Sequence, residues 1–380
     1  MFNYAIISFL LSVIFSCGKL QDTGNIEIIS YSVDSVVIDS KGHIFDLRYL
    51  LHVSDYCQED GFLYNYSAFD HSIEMIDLGR LELVEKFPLQ KEGPDGTGSG
   101  VFNLTSKGNG NLFLASEIGA AIFTLEGKLL KKFDWKKISR AAGGITDEEY
   151  VLQQVANPYF EYLAFALVID QLTNRIILKK LNTTDGIISS YEIDPEGNYR
   201  KYTLGDLTTS YRWYPKVFIA SQQDKIIVSH EFSNDFYVSS PESEDLQQVI
   251  YASIHTPSTV TIATEGDFNN SIDDRRKALQ SYREQVSFGP FVWDPQNKRY
   301  YRLSSSSTFG EEKQERRLLN ETINVDVYLS VFDQEFNLIS EMSLPELNNQ
   351  SSAKYFVRDG MLWVFENRDD EMGFVRVIFD

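Results

Sequence analysis

Phe291-Val292-Trp293-Asp294-Pro295-Gln296-Asn297-Lys298-Arg299-Tyr300-Tyr301 is the stretch that decides the fold. Two short runs of aromatic and β-branched residues flank an Asp-Pro-Gln-Asn segment. Asp and Asn side chains bond their own backbone at tight turns and Pro presets φ, so the stretch reads as a β-hairpin. The same pattern recurs along the chain. Ala121-Ile122-Phe123-Thr124 passes through Leu125-Glu126-Gly127 into the run 128–133, and Leu167-Val168-Ile169 passes through 170–174 into Arg175-Ile176-Ile177-Leu178. Tyr191-Glu192-Ile193 passes through 194–198 into Tyr199-Arg200-Lys201-Tyr202, and Leu329-Ser330-Val331-Phe332 passes through 333–337 into Leu338-Ile339-Ser340.

A second element marks strand entrances. Asn157-Pro158-Tyr159, Tyr214-Pro215-Lys216 and Gly289-Pro290-Phe291 each precede an apolar run, where the missing N–H of Pro costs little. Repeated short strands with such turns signal an all-β propeller of about six blades. The candidate blades lie near 43–90, 100–137, 148–204, 210–255, 285–344 and 352–380. The last is short of a strand, and residues 26–38 can supply it, which would close the ring and remove exposed edges. Residues 271–284 break the β pattern. Ser271 is a good N-cap, Asp273 and Asp274 fall in the first turn, and Ile272, Leu279 and Tyr282 share one face, so a helix inserted between blades is expected. No Pro/Ser/Gly-rich linker follows residue 26, so residues 26–380 are expected to form a single domain.

The first residues are apolar from Tyr4 to Phe15, too short a run to span a bilayer. Residues 1–16 read as a signal peptide, and Ile14-Phe15-Ser16-Cys17-Gly18 resembles a loose bacterial lipobox in which Cys17 takes lipid. Residues 17–25 would then be the lipidated cysteine and its tether, and the protein an exported, membrane-anchored lipoprotein. An ordinary secretory signal cleaved nearby is the alternative. Cys57, the other of the two cysteines, reads as a buried small hydrophobe, with a Cys17–Cys57 disulfide as the rival reading. The formal net charge of −20 disfavours nucleic acid as a partner, because phosphate binding relies on Lys and Arg.

The glycine run Gly93-Pro94-Asp95-Gly96-Thr97-Gly98-Ser99-Gly100, followed by Leu112-Phe113-Leu114-Ala115, looks like part of an NHL-type or TolB-like blade. With the lipobox, Phe288-Gly289-Pro290, Asp294-Pro295 and Arg299-Tyr300-Tyr301-Arg302, the chain resembles a Bacteroidetes lipoprotein family known as domain of unknown function 4221. That resemblance implies a six-bladed propeller and an envelope location, and it carries no catalytic residues.

Sites of familiar chemistry are not apparent. The glycine run lacks the Gly-Lys-Ser/Thr ending of a phosphate-binding loop. None of the five histidines has metal-ligand spacing, so no metal or other cofactor is expected. The expected function is non-catalytic binding or scaffolding at the cell envelope, towards a glycan, a peptide or an envelope protein. A sensor or assembly role is a variant of it. A glycan hydrolase or lyase with carboxylates at the channel mouth is the enzymatic alternative. The best binding candidates are Arg212, Trp213 and Tyr214, which with Tyr211 join a guanidinium to three rings just before Pro215.

Overall fold

Six twisted sheets of antiparallel strands stand around a central channel in the computed structural model. The structure describes residues 19–20, 27–133, 135, 144–157, 160–205, 212–222, 224–240, 243, 245–261, 271–312, 318–347 and 354–380. Cys17 and the expected signal peptide lie outside the described residues.

The first strand of each blade lines the channel. These inner strands are Ser54–Tyr56, Val101–Ser106, Glu149–Ala156, Val217–Gln222, Ser287–Asp294 and Tyr355–Arg358, in blades 1 to 6. Each blade continues outwards strand by strand in chain order. Blade 6 is the exception. Its outer strand is Tyr31–Val37, which pairs antiparallel with Glu371–Phe379 from Tyr31↔Phe379 to Val37↔Gly373. The two ends of the propeller domain thus close the ring, as the incomplete last blade predicts. The backbone of Lys19–Leu20 adds a short parallel strand to Val249 and Ile250 on the rim of blade 4.

There is no single core. Six hydrophobic clusters fill the six junctions between neighbouring blades. Covered on both faces, strands such as Leu163–Asp170 are buried almost throughout and lose the alternation of a half-exposed sheet. Cys57 is a free, buried thiol in the junction of blades 1 and 2. Burial raises its pKa, so it behaves as the expected small hydrophobe.

Side chains from the inner strands and the residues flanking them lace the ring together from within. Asp55 Oδ2 accepts from Ser106 N at 2.9 Å, and Lys107 Nζ donates to Asn157 O. Gln153 Oε1 accepts from Ile219 N at 3.0 Å, and Gln222 Nε2 donates to Phe291 O at 3.0 Å. The Tyr355 hydroxyl donates to Pro290 O, and Lys354 Nζ donates to Ser54 O at 2.7 Å. Every one of the six blade junctions carries such a bridge, in addition to its apolar cluster.

The turn chemistry follows the sequence. Asp294 accepts from Gln296 N and Asn297 N, Asp170 from Leu172 N and Thr173 N, and Asp333 from Glu335 N and Asn337 N. One expected hairpin is not formed. Residues 199–202 are not a strand, because the Asp194 carboxylate accepts from Asn198 N at 2.6 Å and Tyr199 N at 3.1 Å and opens a helical turn, Asn198–Tyr202. The inserted helix, Ile272–Arg283, forms as its caps predict, with Ser271 Oγ accepting from Asp274 N. Its buried face is Ala278, Leu279 and Tyr282, whereas Ile272 is exposed, because only the second half of the helix reaches the junction of blades 3 and 4.

The Pro-marked entrances are not equivalent. Pro215 precedes the inner strand of blade 4, and Pro290 lies inside that of blade 5, at a bulge. Asn157 comes after the inner strand of blade 3, at the opposite end of the ring, while Pro158 and Tyr159 fall outside the described residues.

Candidate functional site

The inner strands begin at one end of the ring, and there the channel opens into a cavity of about 600 Å³ bordered by all six blades. Its mouth collects charge from distant parts of the chain. His52 and Asp55 flank the start of the inner strand of blade 1, Lys216 precedes that of blade 4, and Lys354 precedes that of blade 6. Glu231 comes from a turn of blade 4, and Arg283 ends the inserted helix.

Three cations therefore meet two carboxylates and one imidazole. Arg283 and Glu231 form an ion pair, and Glu231 Oε2 also accepts from Lys216 N at 2.8 Å. This carboxylate is nearly enclosed, so the Arg283 charge is answered inside the protein. Lys354 has a looser counter-ion, with Nζ 4.0 Å from Asp55 Oδ1. Lys216 Nζ lies 3.1 Å from His52 Nε2. An ammonium can only donate, so Nε2 accepts and His52 is neutral with its proton on Nδ1.

The electrostatics agree. His52 keeps surface towards the cavity but is surrounded by protein, and burial together with Lys216, Lys354 and Arg283 lowers its pKa to about 3. Burial lowers the pKa of Lys216, with Arg283 adding to it and Glu231 opposing. Burial likewise lowers that of Lys354 against the pull of Asp55, and raises that of Asp55 itself. Desolvated ammonium groups with few carboxylate neighbours favour the arrival of an anion. In a chain of net charge −20 this mouth is a local reversal of sign.

A second cavity of about 460 Å³ adjoins the first, with His52 and Phe102 as walls of both. It is largely apolar and runs between blades 1 and 2. Tyr49 and Phe102 flank it, 60% and 67% exposed, although aromatic rings elsewhere in the protein mostly pack in blade junctions.

The residues singled out from sequence lie beside this mouth. Tyr214 borders the larger cavity, and its ring is stacked parallel to Tyr199 at 6.2 Å. Trp213 is half-buried against Tyr282 at 4.5 Å, and the Arg283 guanidinium lies 5.2 Å from its ring centre. Arg212 is exposed and donates to the Tyr214 hydroxyl at 3.1 Å. Trp213 thus backs the helix end that presents Arg283, and Tyr211 lies outside the described residues. No local motif contains His52 or Lys354, and Tyr214-Pro215-Lys216 marks Lys216 only as a strand entrance. Their common signal is position, one or two residues before an inner strand.

The glycine run also finds its reason. Gly98 adopts φ +85°, and a Cβ there would stand 2.6 Å from Glu117 Oε1. The Glu117 carboxylate accepts from Ser99 N, from Ser99 Oγ at 2.6 Å and from Gly100 N at 3.1 Å. These bonds lower its pKa to about 2. The loop is an anion nest filled by the protein's own carboxylate.

The motif residues around blade 5 form a knot. Arg302, 1% exposed, donates to the carbonyls of Gly289, Asn234, His230 and Ser233 at 2.7–3.2 Å. Its guanidinium lies over Phe288 and Phe291 at 4.9 and 5.1 Å. A Cβ on Gly289 would meet the Tyr355 hydroxyl at 2.5 Å, so Gly289 admits the Tyr355 bridge. These contacts lock blades 4, 5 and 6.

A family profile described as "Domain of unknown function (DUF4221)" matches residues 25–343. The chain belongs to that family. A solved DUF4221 member from Bacteroides vulgatus superposes with a TM-score of 0.67 at 12% identity, covering 94% of this chain and 99% of the other. A Bacteroides fragilis protein, named by inference as exported, superposes with a TM-score of 0.54 at 8% identity over 96% and 99%. At these identities the likeness is one of fold. No curated protein matches the sequence. Among the described residues of this DUF4221 chain, no helix is long and apolar enough to cross a membrane, and no group of three or more His, Cys, Asp or Glu could hold a metal ion.

Proposed function

We propose that this DUF4221 protein is an exported, lipid-anchored binding protein of the cell envelope that takes its ligand at the channel mouth. The observation that carries the reading is the mouth itself, where Lys216, Lys354 and His52 from three blades converge on a cavity of about 600 Å³. A scaffold accounts for Lys354, which also bridges to Ser54 O, but gains little from desolvating Lys216 there. Export is supported by the apolar run ending in Ser16-Cys17-Gly18 and by the exported designation of the Bacteroides fragilis relative. In this reading lipid joins the chain two residues before Lys19, whose backbone lies on the rim of blade 4. The membrane then meets the rim and leaves the mouth open.

Hydrolysis or elimination on a glycan is less well supported. Glycosidases need two carboxylates facing the scissile bond. At this mouth Glu231 is ion-paired with Arg283, and Asp55 accepts from Ser106 N beside Lys354.

Metabolic labelling with a palmitate analogue tests the anchor. Label on the wild-type chain that disappears in Cys17→Ala supports the reading. An unlabelled chain, or label that survives the substitution, overturns it.

A further inference from the structure

We infer that the ligand is a ring-bearing carboxylate, a sugar acid or an aromatic acid, whose carboxylate sits between Lys216 and Lys354 and whose ring rests in the Tyr49–Phe102 pocket. The inference rests on the binding reading above and names the class of ligand.

Two independent features point the same way. The first is charge. Arg283 is neutralised by Glu231, so Lys216 and Lys354 remain as the cations open to the larger cavity. An ammonium has three donors. That of Lys354 gives one to Ser54 O, and that of Lys216 contacts His52. A carboxylate entering here gains a charged hydrogen bond from the ammonium group it meets, shorter and stronger than a neutral one, and the attraction of the other across the cavity. It would also raise the pKa of both lysines towards the ordinary range. Neutral His52 can turn its Nδ1–H to the ligand without adding charge.

The second feature is shape. The adjoining cavity of about 460 Å³ offers apolar walls and the exposed rings of Tyr49 and Phe102, surfaces suited to a flat sugar or aromatic face. Because His52 and Phe102 border both spaces, one small molecule can occupy both. Arg48, a cation beside this pocket with its guanidinium 5.8 Å from the Tyr49 ring centre, is already bidentate to Asp46 at 2.8 and 2.7 Å. The pocket therefore favours the uncharged end of the ligand, and the mouth its anionic end. Inorganic phosphate satisfies only half of this arrangement.

Isothermal titration of the full chain in detergent tests the inference, with glucuronate, phenylacetate, glucose and inorganic phosphate as probes. At least one of the two acids should bind about tenfold or more tightly than glucose and phosphate. Which acid it is separates a sugar source from an aromatic one. Lys216→Met and Lys354→Met should each weaken that acid about tenfold, and Phe102→Ala should weaken it while Phe102→Tyr restores it. On the alkaline side affinity should fall at a pH below the ordinary lysine range. Lys216 and Lys354, whose ammonium groups burial disfavours, lose their charge there; the other charged or titratable groups facing them are Asp55, Glu231, Arg283 and His52. Circular dichroism confirms that each variant is folded. Failure of both acids to bind, equal binding of glucose, phosphate binding as tight as the acids, or folded lysine variants with unchanged affinity would each overturn the inference. The anchor is read separately by labelling at Cys17, so loss of one conclusion leaves the other measurable.

Discussion

Arg302 and the pair Lys216–Lys354 carry the same charge and stand in the same ring, yet their donors are used differently. Arg302 is sealed between blades 4 and 5, and four backbone carbonyls and two aromatic faces answer its guanidinium. Nothing is left over for a ligand, and its removal would strand four buried acceptors. The two lysines border open space, and their ammonium groups have one close partner each. A cation whose donors are all taken holds the fold. Under the proposed function, a desolvated cation with donors to spare is where a ligand would bind.

The comparison fails first if Arg302 proves dispensable. Arg302→Met should cost about 3 kcal/mol or more, because several buried carbonyls lose their donor at once. Urea unfolding measures this, and a loss below about 1 kcal/mol would mean that water or relaxation replaces the guanidinium.

A smaller effect sharpens the same side. Gly289→Ala should cost about 1–3 kcal/mol by pressing on the Tyr355 hydroxyl. Adding Tyr355→Phe should recover part of that loss, since the two residues touch and their effects should not add. Additive costs would show that the clash lies with the Leu303 carbonyl, 3.1 Å from the same Cβ.

Trp213 lies between the two regimes. Being half-buried, it should cost about 1–2 kcal/mol on Trp213→Ala, less than a core tryptophan. The same change should leave ligand binding nearly unchanged, because the Arg283 guanidinium that the ring supports is already paired with Glu231. A cost of about 4 kcal/mol would place Trp213 with the core.

The smallest effect belongs to Glu117, a carboxylate that is satisfied but exposed. Its folded pKa of about 2 lies below the ordinary Glu value of about 4.3. The stability it contributes is thus present above that ordinary value and is lost as pH falls towards 2. Glu117→Gln should change stability at neutral pH by less than about 1 kcal/mol and flatten the acid limb of the curve between those values. An unchanged acid limb would show that the nest does not hold the charge.

Much of the fold is legible in the sequence because it is written locally. Asp294, Asp333 and Asp170 each announce a turn through bonds to backbone two to four residues away. Ser271 with Asp273 and Asp274 announces the inserted helix in the same way. Errors arose where one local signal serves two structures. Asp194-Pro195-Glu196-Gly197-Asn198 has the composition of a hairpin turn, yet the same Asp carboxylate caps a helical turn when Tyr199 can bury its ring. Asn157 opens what resembles a strand entrance, yet it directly follows the inner strand of blade 3.

The mouth was illegible for a different reason. His52, Lys216 and Lys354 are separated by more than a hundred residues, and no spacing rule joins them. Aligning the blades on their inner strands would have placed all three at the same point of the repeat. The sequence candidates Arg212, Trp213 and Tyr214 lie on the approach to Lys216, so local aromatic richness marks the same rim without marking the lysines.

Thermal melts of the wild-type chain and of a Lys216→Met/Lys354→Met double variant, each with rising glucuronate or phenylacetate, test the central contrast most directly. A ligand bound only by the folded state raises the melting temperature by mass action. The account predicts that without ligand the two proteins melt within a few degrees of each other, and that one of the acids raises the wild type alone. A double variant that melts far below the wild type, or one that gains the same stabilisation from the acid, would contradict it.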